Sequence, residues 1–220
     1  MNLTNKQCHI LRKILPMPIL SRCRDLYPWL EEDMLHLLIS FLVDPNNKST
    51  FSQRLTLLRR MNVISSTIEC PHTQYEMLSV IKSIFLPVKG CVVEAGAYKG
   101  GSTAKFSIAS KMAGRELYVF DSFEGIPEND EPHDKNIFGN KIQVFGKAGF
   151  PTGAYCGTLD EVKRNISQLG EIEVCRFVKG WFENTMPSFS QPIIAAYLDV
   201  DLASSTKTCL RYLRQVFVED

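Results

Sequence analysis

The sequence holds 220 residues, 45% of them apolar, with a formal net charge of +1. That length suits one α/β domain with a full core, and the balanced charge gives no overall electrostatic case for nucleic acid. No run approaches the roughly 18 unbroken apolar residues of a membrane helix. The seven cysteines are scattered, odd in number and never spaced C-x-x-C, which points to a reducing cytoplasm rather than a disulfide framework. The four histidines lie far apart without zinc-ligand spacing.

The first 24 residues carry Lys6, Arg12, Lys13, Arg22 and Arg24 and no acid. No long apolar core or small-residue cleavage site follows, so a signal peptide is not the reading. Leu3, Ile10, Leu11, Ile14 and Leu15 fit one face of an amphipathic surface helix, with a dimer contact or substrate lid as the sharper alternative. That basic helix is expected over 1–24, broken by Pro16 and Pro18. A second helix is expected over 25–43, a turn at Asp44–Asn47, and a basic helix over 50–62. The absence of strand signals makes 1–64 a helical cap or lid and 65–220 the main domain. Thr73-x-x-Glu76 is a capping box opening a helix over 74–85, and Pro87 stops it.

Cys91–Val93 reads as a buried strand with Glu94 at its end. Glycines follow at 96, 100 and 101, and Ser102 and Thr103 are placed to cap a helix running through Lys105–Met112. Strand, glycine bend and helix make a site where backbone approaches a ligand closely and unpaired N–H groups face it. The spacing G-x-x-x-G-G is neither the dinucleotide fingerprint nor a P-loop. An acid ahead of the first glycine suits a ligand with an ammonium or sulfonium group, which points to S-adenosylmethionine. The plainer alternative is an ordinary turn between strand and helix.

Leu117–Phe120 is the second strand, ending at Asp121, 25 residues after Gly96. A carboxylate there is placed to accept ribose hydroxyls. Ser122–Pro127 makes a turn. Residues 128–157 form a long loop of mixed charge, expected over the ligand end of the sheet, where His133, Asp134 and Tyr155 are candidate substrate contacts. Thr158-x-x-Glu161 opens a helix over 158–169. Glu173–Val178 is the third strand. It ends in Lys179-Gly180-Trp181-Phe182, whose two rings either flank an adenine or belong to the core. Ile193–Leu198 is the fourth strand and runs into Asp199-Val200-Asp201. Two such carboxylates suit a divalent cation or a general base. For Asp201, capping of the helix over 205–213 is the preferred reading.

Four stretches in this order resemble the TylF (macrocin O-methyltransferase) family: Glu94–Thr103, Phe120–Pro127, Lys179–Phe182, and Leu198–Leu202 with Ser205-Thr206. The likeness covers about residues 65–213. It implies a Rossmann-like, doubly wound, mostly parallel α/β sheet of the class I methyltransferases. It also implies a divalent-metal-assisted O-methyltransferase acting on a sugar or natural-product hydroxyl. By that resemblance Glu94, Gly96, Ala97, Tyr98, Gly100, Ser102 and Thr103, with Asp121, Ser122 and Phe123, hold S-adenosylmethionine. Gly180, Trp181 and Phe182 lie near its adenine. Asp199 matches the acid that binds Mg2+ and accepts the hydroxyl proton.

One departure stands against this. In the family a further strand after the Asp199 helix carries a second acidic pair, whereas only residues 214–220 follow that helix here. Val216–Val218 reads as a short strand with Glu219 and Asp220 as surrogate ligands, or else the chain is truncated. The competing expectation is therefore a cofactor-binding module without catalysis. The open edge of a curtailed sheet also invites pairing into a homodimer.

Overall fold

The computed structural model describes residues 32–44, 47–70, 74–129, 131, 143–144, 147–148 and 150–218. The basic segment 1–24, Thr73, His133, Asp134, Glu219 and Asp220 lie outside them. The chain divides into two compact units, Met1–Asp44 and Pro45–Asp220. The described part of the first unit is helix α1, Glu32–Leu42.

The second unit holds the sheet. Helices α2 (Phe51–Thr67) and α3 (Gln74–Ile84) precede it. Thr50 caps α2 in a reciprocal box with Gln53, a signal the sequence reading passed over. Strand β1 (Cys91–Ala95), helix α4 (Gly101–Ala113) and strand β2 (Leu117–Asp121) follow. A two-residue antiparallel ladder joins Gln143–Val144 to Lys147–Ala148 within the long loop. Then come α5 (Leu159–Leu169), β3 (Cys175–Lys179), β4 (Ile193–Leu198) and α6 (Ala203–Leu213). Thr158 caps α5 as its sequence implies, its hydroxyl accepting from the Glu161 amide.

The four strands are parallel in the order β3-β2-β1-β4. The chain therefore builds outward from β1 to one side, then returns to lay β4 on the other. That reversal between β1 and β4 is the switch point at which such sheets leave a crevice beyond their carboxyl ends.

Strand β1 is buried on both faces, as its unbroken apolar start requires. Cys91, Val93 and Ala95 join one core cluster with Phe120, Met186, Ile193, Cys209 and Leu213. By the period of two, Val92 and Glu94 face the opposite side, toward α4. Arg115 fixes the approach to β1 by donating to four carbonyls, those of Ile84, Leu86, Val88 and Gly90, at 2.6–2.7 Å.

Helix α4 is buried throughout residues 101–110, including Lys105, Ser107 and Ser110. The reason is a third layer: α2, α3 and α5 all pack on it while the sheet covers its other side. Helix α2, expected in the cap, thus belongs to the same compact unit as the sheet.

Candidate active site

A cavity of about 420 Å3 opens at the carboxyl ends of the strands, within the size range of small-molecule sites. Every strand contributes to its wall. Gly96, Ala97 and Tyr98 come from the end of β1, and Asp121 and Ser122 from β2. Gly180, Trp181 and Phe182 follow β3, and Asp199, Val200 and Asp201 follow β4. Ser102 reaches it from α4. Most of the residues singled out from sequence are thus brought together. Glu94, Gly100, Thr103 and Phe123 do not line the cavity; Phe123 is buried with its ring against Phe177, 6.4 Å between centroids.

The glycine bend is shaped by the protein itself. A Cβ on Gly96, at φ 88°, would sit 1.9 Å from the Asp199 carbonyl oxygen. One on Gly101 would sit 2.7 Å from the Cys70 Cβ. These glycines are needed because β1 and β4 close on each other and residue 70 presses on α4, not only for approach of a ligand. Gly100, in the left-handed region at φ 83°, is the N-cap of α4, and no side chain caps the helix. The expected caps, Ser102 and Thr103, fall instead within its first turn.

Asp121 ties this bend to the next. Its Oδ2 accepts from the Ala97 amide and its Oδ1 from the Phe123 amide, each at 2.6 Å. Burial pushes its carboxyl above the usual range, and those backbone amides pull the other way. A ribose would therefore use the remaining lone pairs of an already anchored carboxylate.

Glu94 lies inside β1, not at its tip, and is fully buried. Burial pushes its carboxyl up to about 8, and the negative neighbours Asp199 and Asp121 add to this. Ser102 and Thr103 lie near and favour the charged form, but neither carboxylate oxygen has a hydrogen-bond partner of good geometry. Glu94 thus stands in the ordinary pH range as a mostly protonated group beneath the bend.

The opposite wall is the turn after β4. The Asp199 amide donates to the Ala95 carbonyl at 2.9 Å, locking the turn to β1. Asp201 takes φ 57°. It does not supply the expected helix cap: the first-turn amides of Ala203 and Ser204 both donate to Glu131, each at 2.9 Å. A carboxylate from the long loop thus serves the positive end of α6.

Four described residues other than glycine have positive φ: Tyr98, Phe123, Tyr155 and Asp201. Three line the cavity and the fourth follows Ser122. Such strain gathers at functional sites. The Tyr98 and Tyr155 rings meet edge to face at 5.6 Å. Burial first, then the charges of Asp201 and Asp199 and the nearby Tyr98, raise the Tyr155 hydroxyl.

Sequence reasoning missed Glu69 and Cys70, which line the cavity from the segment after α2. It also missed Phe150, and the Gly125–Pro127 wall whose residues it had quoted as a motif. Only that last wall carried a local signal. Among the described residues no group of three metal-type side chains comes together.

The TylF (macrocin O-methyltransferase) family profile matches residues 74–219. The chain belongs to the TylF family. It is 30% identical over 131 residues to the 8-demethyl-8-(2,3-dimethoxy-alpha-L-rhamnosyl)-tetracenomycin-C 4'-O-methyltransferase of Streptomyces olivaceus, covering 57% of this chain and 48% of that protein. It is 33% identical over 106 residues to the mycinamicin III 3''-O-methyltransferase of Micromonospora griseorubida, covering 46% and 40%. The chain thus spans about half the length of the curated relatives it matches. The solved structure of the O-methyltransferase NovP superposes with a TM-score of 0.59 at 20% identity, over 75% of this chain and 80% of that one. This likeness shows a shared fold, the Rossmann-like class I arrangement expected for a TylF chain.

The short strand expected near the end of this TylF chain is present as a single parallel bridge between Phe217 and Ile193. The Ile193 amide donates to Val216 and the Val218 amide to Ile193. This pairing is at the start of β4, whereas Asp199 lies beyond its end. Six residues of parallel strand span roughly 20 Å. No described residue of that strand reaches the height of Asp199.

Proposed function

We propose that this chain binds S-adenosylmethionine in the 420 Å3 cavity and transfers its methyl group to a hydroxyl of a sugar or glycosylated small molecule. Membership of the TylF family supports the reaction class, and the names of the relatives support sugar-bearing acceptors. The single observation that carries the cofactor reading is the anchored Asp121, which joins the glycine bend to the β2 turn at the cavity wall.

Bound S-adenosylmethionine supplies an electrophilic methyl group on a sulfonium. Gly96, Ala97, Tyr98 and Ser102 hold its amino-acid end, Asp121 and Ser122 its ribose, and Trp181 and Phe182 flank the adenine. Gly100, Thr103 and Phe123 act one layer back, by holding the bend and the β2 turn. Glu94 beneath the bend offers a carboxyl that an ammonium nearby would draw into its charged form. Asp199, at the carboxyl end of a central strand, orients the acceptor hydroxyl and accepts its proton. Tyr98, Tyr155 and Phe150 wall the acceptor side and exclude water. The remaining rate comes from aligning hydroxyl oxygen and methyl carbon.

Among the described residues no three-ligand set for Mg2+ surrounds Asp199. A homodimer stands as a proposal beside this one, as does a cap role for the part of 1–64 that precedes α2.

Calorimetry with S-adenosylhomocysteine, and with NAD as contrast, tests the cofactor half. Binding of the first and not the second is expected, and the reverse overturns it. Turnover is then read as S-adenosylhomocysteine release with rhamnosylated tetracenomycin-type and mycinamicin-type acceptors. Asp199→Asn should lower it by about 10^2-fold or more while leaving cofactor affinity intact. Binding without turnover on any acceptor, with or without magnesium, would favour the non-catalytic module.

A further inference from the structure

Lys105 is fully buried, on the helix that begins at the glycine bend. Its Nζ donates to the Cys70 Sγ at 3.3 Å. Cys70 lies 35 residues earlier, is half-buried and lines the cavity. The sulfur is held there from behind, because only a glycine at 101 leaves room for the Cys70 Cβ. An amine nitrogen and a thiol sulfur therefore meet in the cavity wall. The nitrogen lies on the dry side, and the sulfur is within reach of small molecules entering the cavity. Burial pushes the thiols of Cys91, Cys175 and Cys209 up to about 11, 12 and 12, away from the reactive thiolate. Cys156 is exposed.

We infer that Cys70 and Lys105 form a peroxide-sensitive, thiol-reversible cross-link in the wall of the cavity. The Cys70 sulfur attacks hydrogen peroxide, an S–O bond forms, the O–O bond breaks, and water leaves with a sulfenic acid behind. The Lys105 nitrogen, after loss of a proton, then attacks the sulfur. The S–O bond breaks, the oxygen leaves as a second water, and an S–N bond remains, as when sulfenic acids condense with backbone nitrogen. In sum, one thiol, one ammonium and one peroxide give one sulfenamide, two waters and one proton. Sulfur is oxidised and peroxide reduced, and no further oxidant is needed. The fixed separation favours condensation over escape of the sulfenic acid, by the advantage of an intramolecular partner.

The whole reduced chain is treated with stoichiometric hydrogen peroxide, digested with a glutamate-specific protease without reductant, and mapped by mass spectrometry. The expected product joins the peptides 70–76 and 95–116 with a mass two hydrogens below their sum, and dithiothreitol abolishes it. The same digest should show Cys156 joined to no lysine. In Lys105→Met the cross-link should vanish, and Cys70 should instead be trapped by dimedone. Two results overturn the inference: a wild-type map in which Cys70 carries dimedone or a sulfinic acid while Lys105 stays free, or a Lys105→Met chain that still links residue 70 to a lysine. Should that variant not fold, the wild-type map alone decides. The readout does not involve the cofactor, so it stands or falls separately from methyl transfer.

Discussion

The two walls of the cavity are held in different ways. The β1–β2 wall is fixed by the main chain and by contacts that tolerate no extra atom. The Gly96 amide donates to Phe120 at 3.0 Å, Asp121 takes two further amides, and Gly96 abuts the Asp199 carbonyl. The opposite wall, after β4, is held by side chains distant in sequence. Glu131 holds the amides of Ala203 and Ser204, Tyr98 meets Tyr155, and Tyr155 and Asp201 sit at positive φ. Changes in the first wall should therefore cost stability as well as binding. Changes in the second should cost less stability and act on function.

The largest effect tests the first wall at its tightest contact. Gly96→Ala adds a Cβ 1.9 Å from a backbone oxygen at a φ that L-residues rarely adopt. The expected loss is about 3 kcal/mol or more in urea unfolding, with S-adenosylhomocysteine binding lost as well. A mild loss would show that β1 and β4 separate easily and would erase the contrast.

Next comes the pH dependence of Glu94. Its carboxyl titrates at about 8 in the folded chain against an ordinary 4.5. Between those values the unfolded chain releases this proton and the folded chain keeps it, so folding stability falls as pH rises through that window. Glu94→Gln is neutral throughout and should remove this slope. It should match wild type near pH 4.5 and exceed it at pH 8, by on the order of a few kcal/mol at most. Unfolding midpoints measured across that range check it. Parallel pH profiles for the two chains would mean that Glu94 is charged or solvated in the folded state.

The same division explains what could be read in the sequence. The β1–β2 wall is local: strand, glycine bend and helix run through residues 91–113, and Asp121 ends a strand with an obvious apolar run. Its residue types show in order along the chain. Even there, a second role of the glycines is hidden, since what Gly96 and Gly101 must avoid lies at Asp199 and Cys70. The end of β1 is expected one residue early, at Glu94 rather than Ala95, because a carboxylate does not resemble a strand interior. The opposite wall depends on pairings that no short window contains. Glu131 is one acid among many in a loop, and nothing near it marks the partner 72 residues away. Asp201 looked like a cap because aspartate usually is one before a helix. Here the amides were taken by another chain segment. Helix α2 looks like part of a cap because no strand signal separates it from the helices before it, yet it packs on α4 as a third layer.

Asp121→Asn follows in size. One of its two buried amide partners would face an NH2 group in place of an oxygen. The loss should be about 1–3 kcal/mol, read as a lower unfolding midpoint, with weaker S-adenosylhomocysteine binding. A variant that is fully stable but fails to bind would move Asp121 from the structural to the purely ligand-facing group and blur the contrast.

The smallest effect falls on the second wall, at Glu131. Its two oxygens each accept one first-turn amide of α6. Glu131→Ala removes both acceptors and a charge favourable to the helix dipole, but those amides can turn to water in an exposed position. Loss of a side-chain cap is worth typically about 1 kcal/mol, well below the Gly96 effect. The functional cost should be larger in proportion, because α6 begins four residues after Asp199. Hydrogen exchange should accelerate over residues 199–206 and stay unchanged over β1 and β2. Glu131→Gln keeps one acceptor and should fall between wild type and alanine. If exchange instead rose equally along β1, the acid turn and the glycine bend would form one cooperative unit, and the two walls would have to be treated as one.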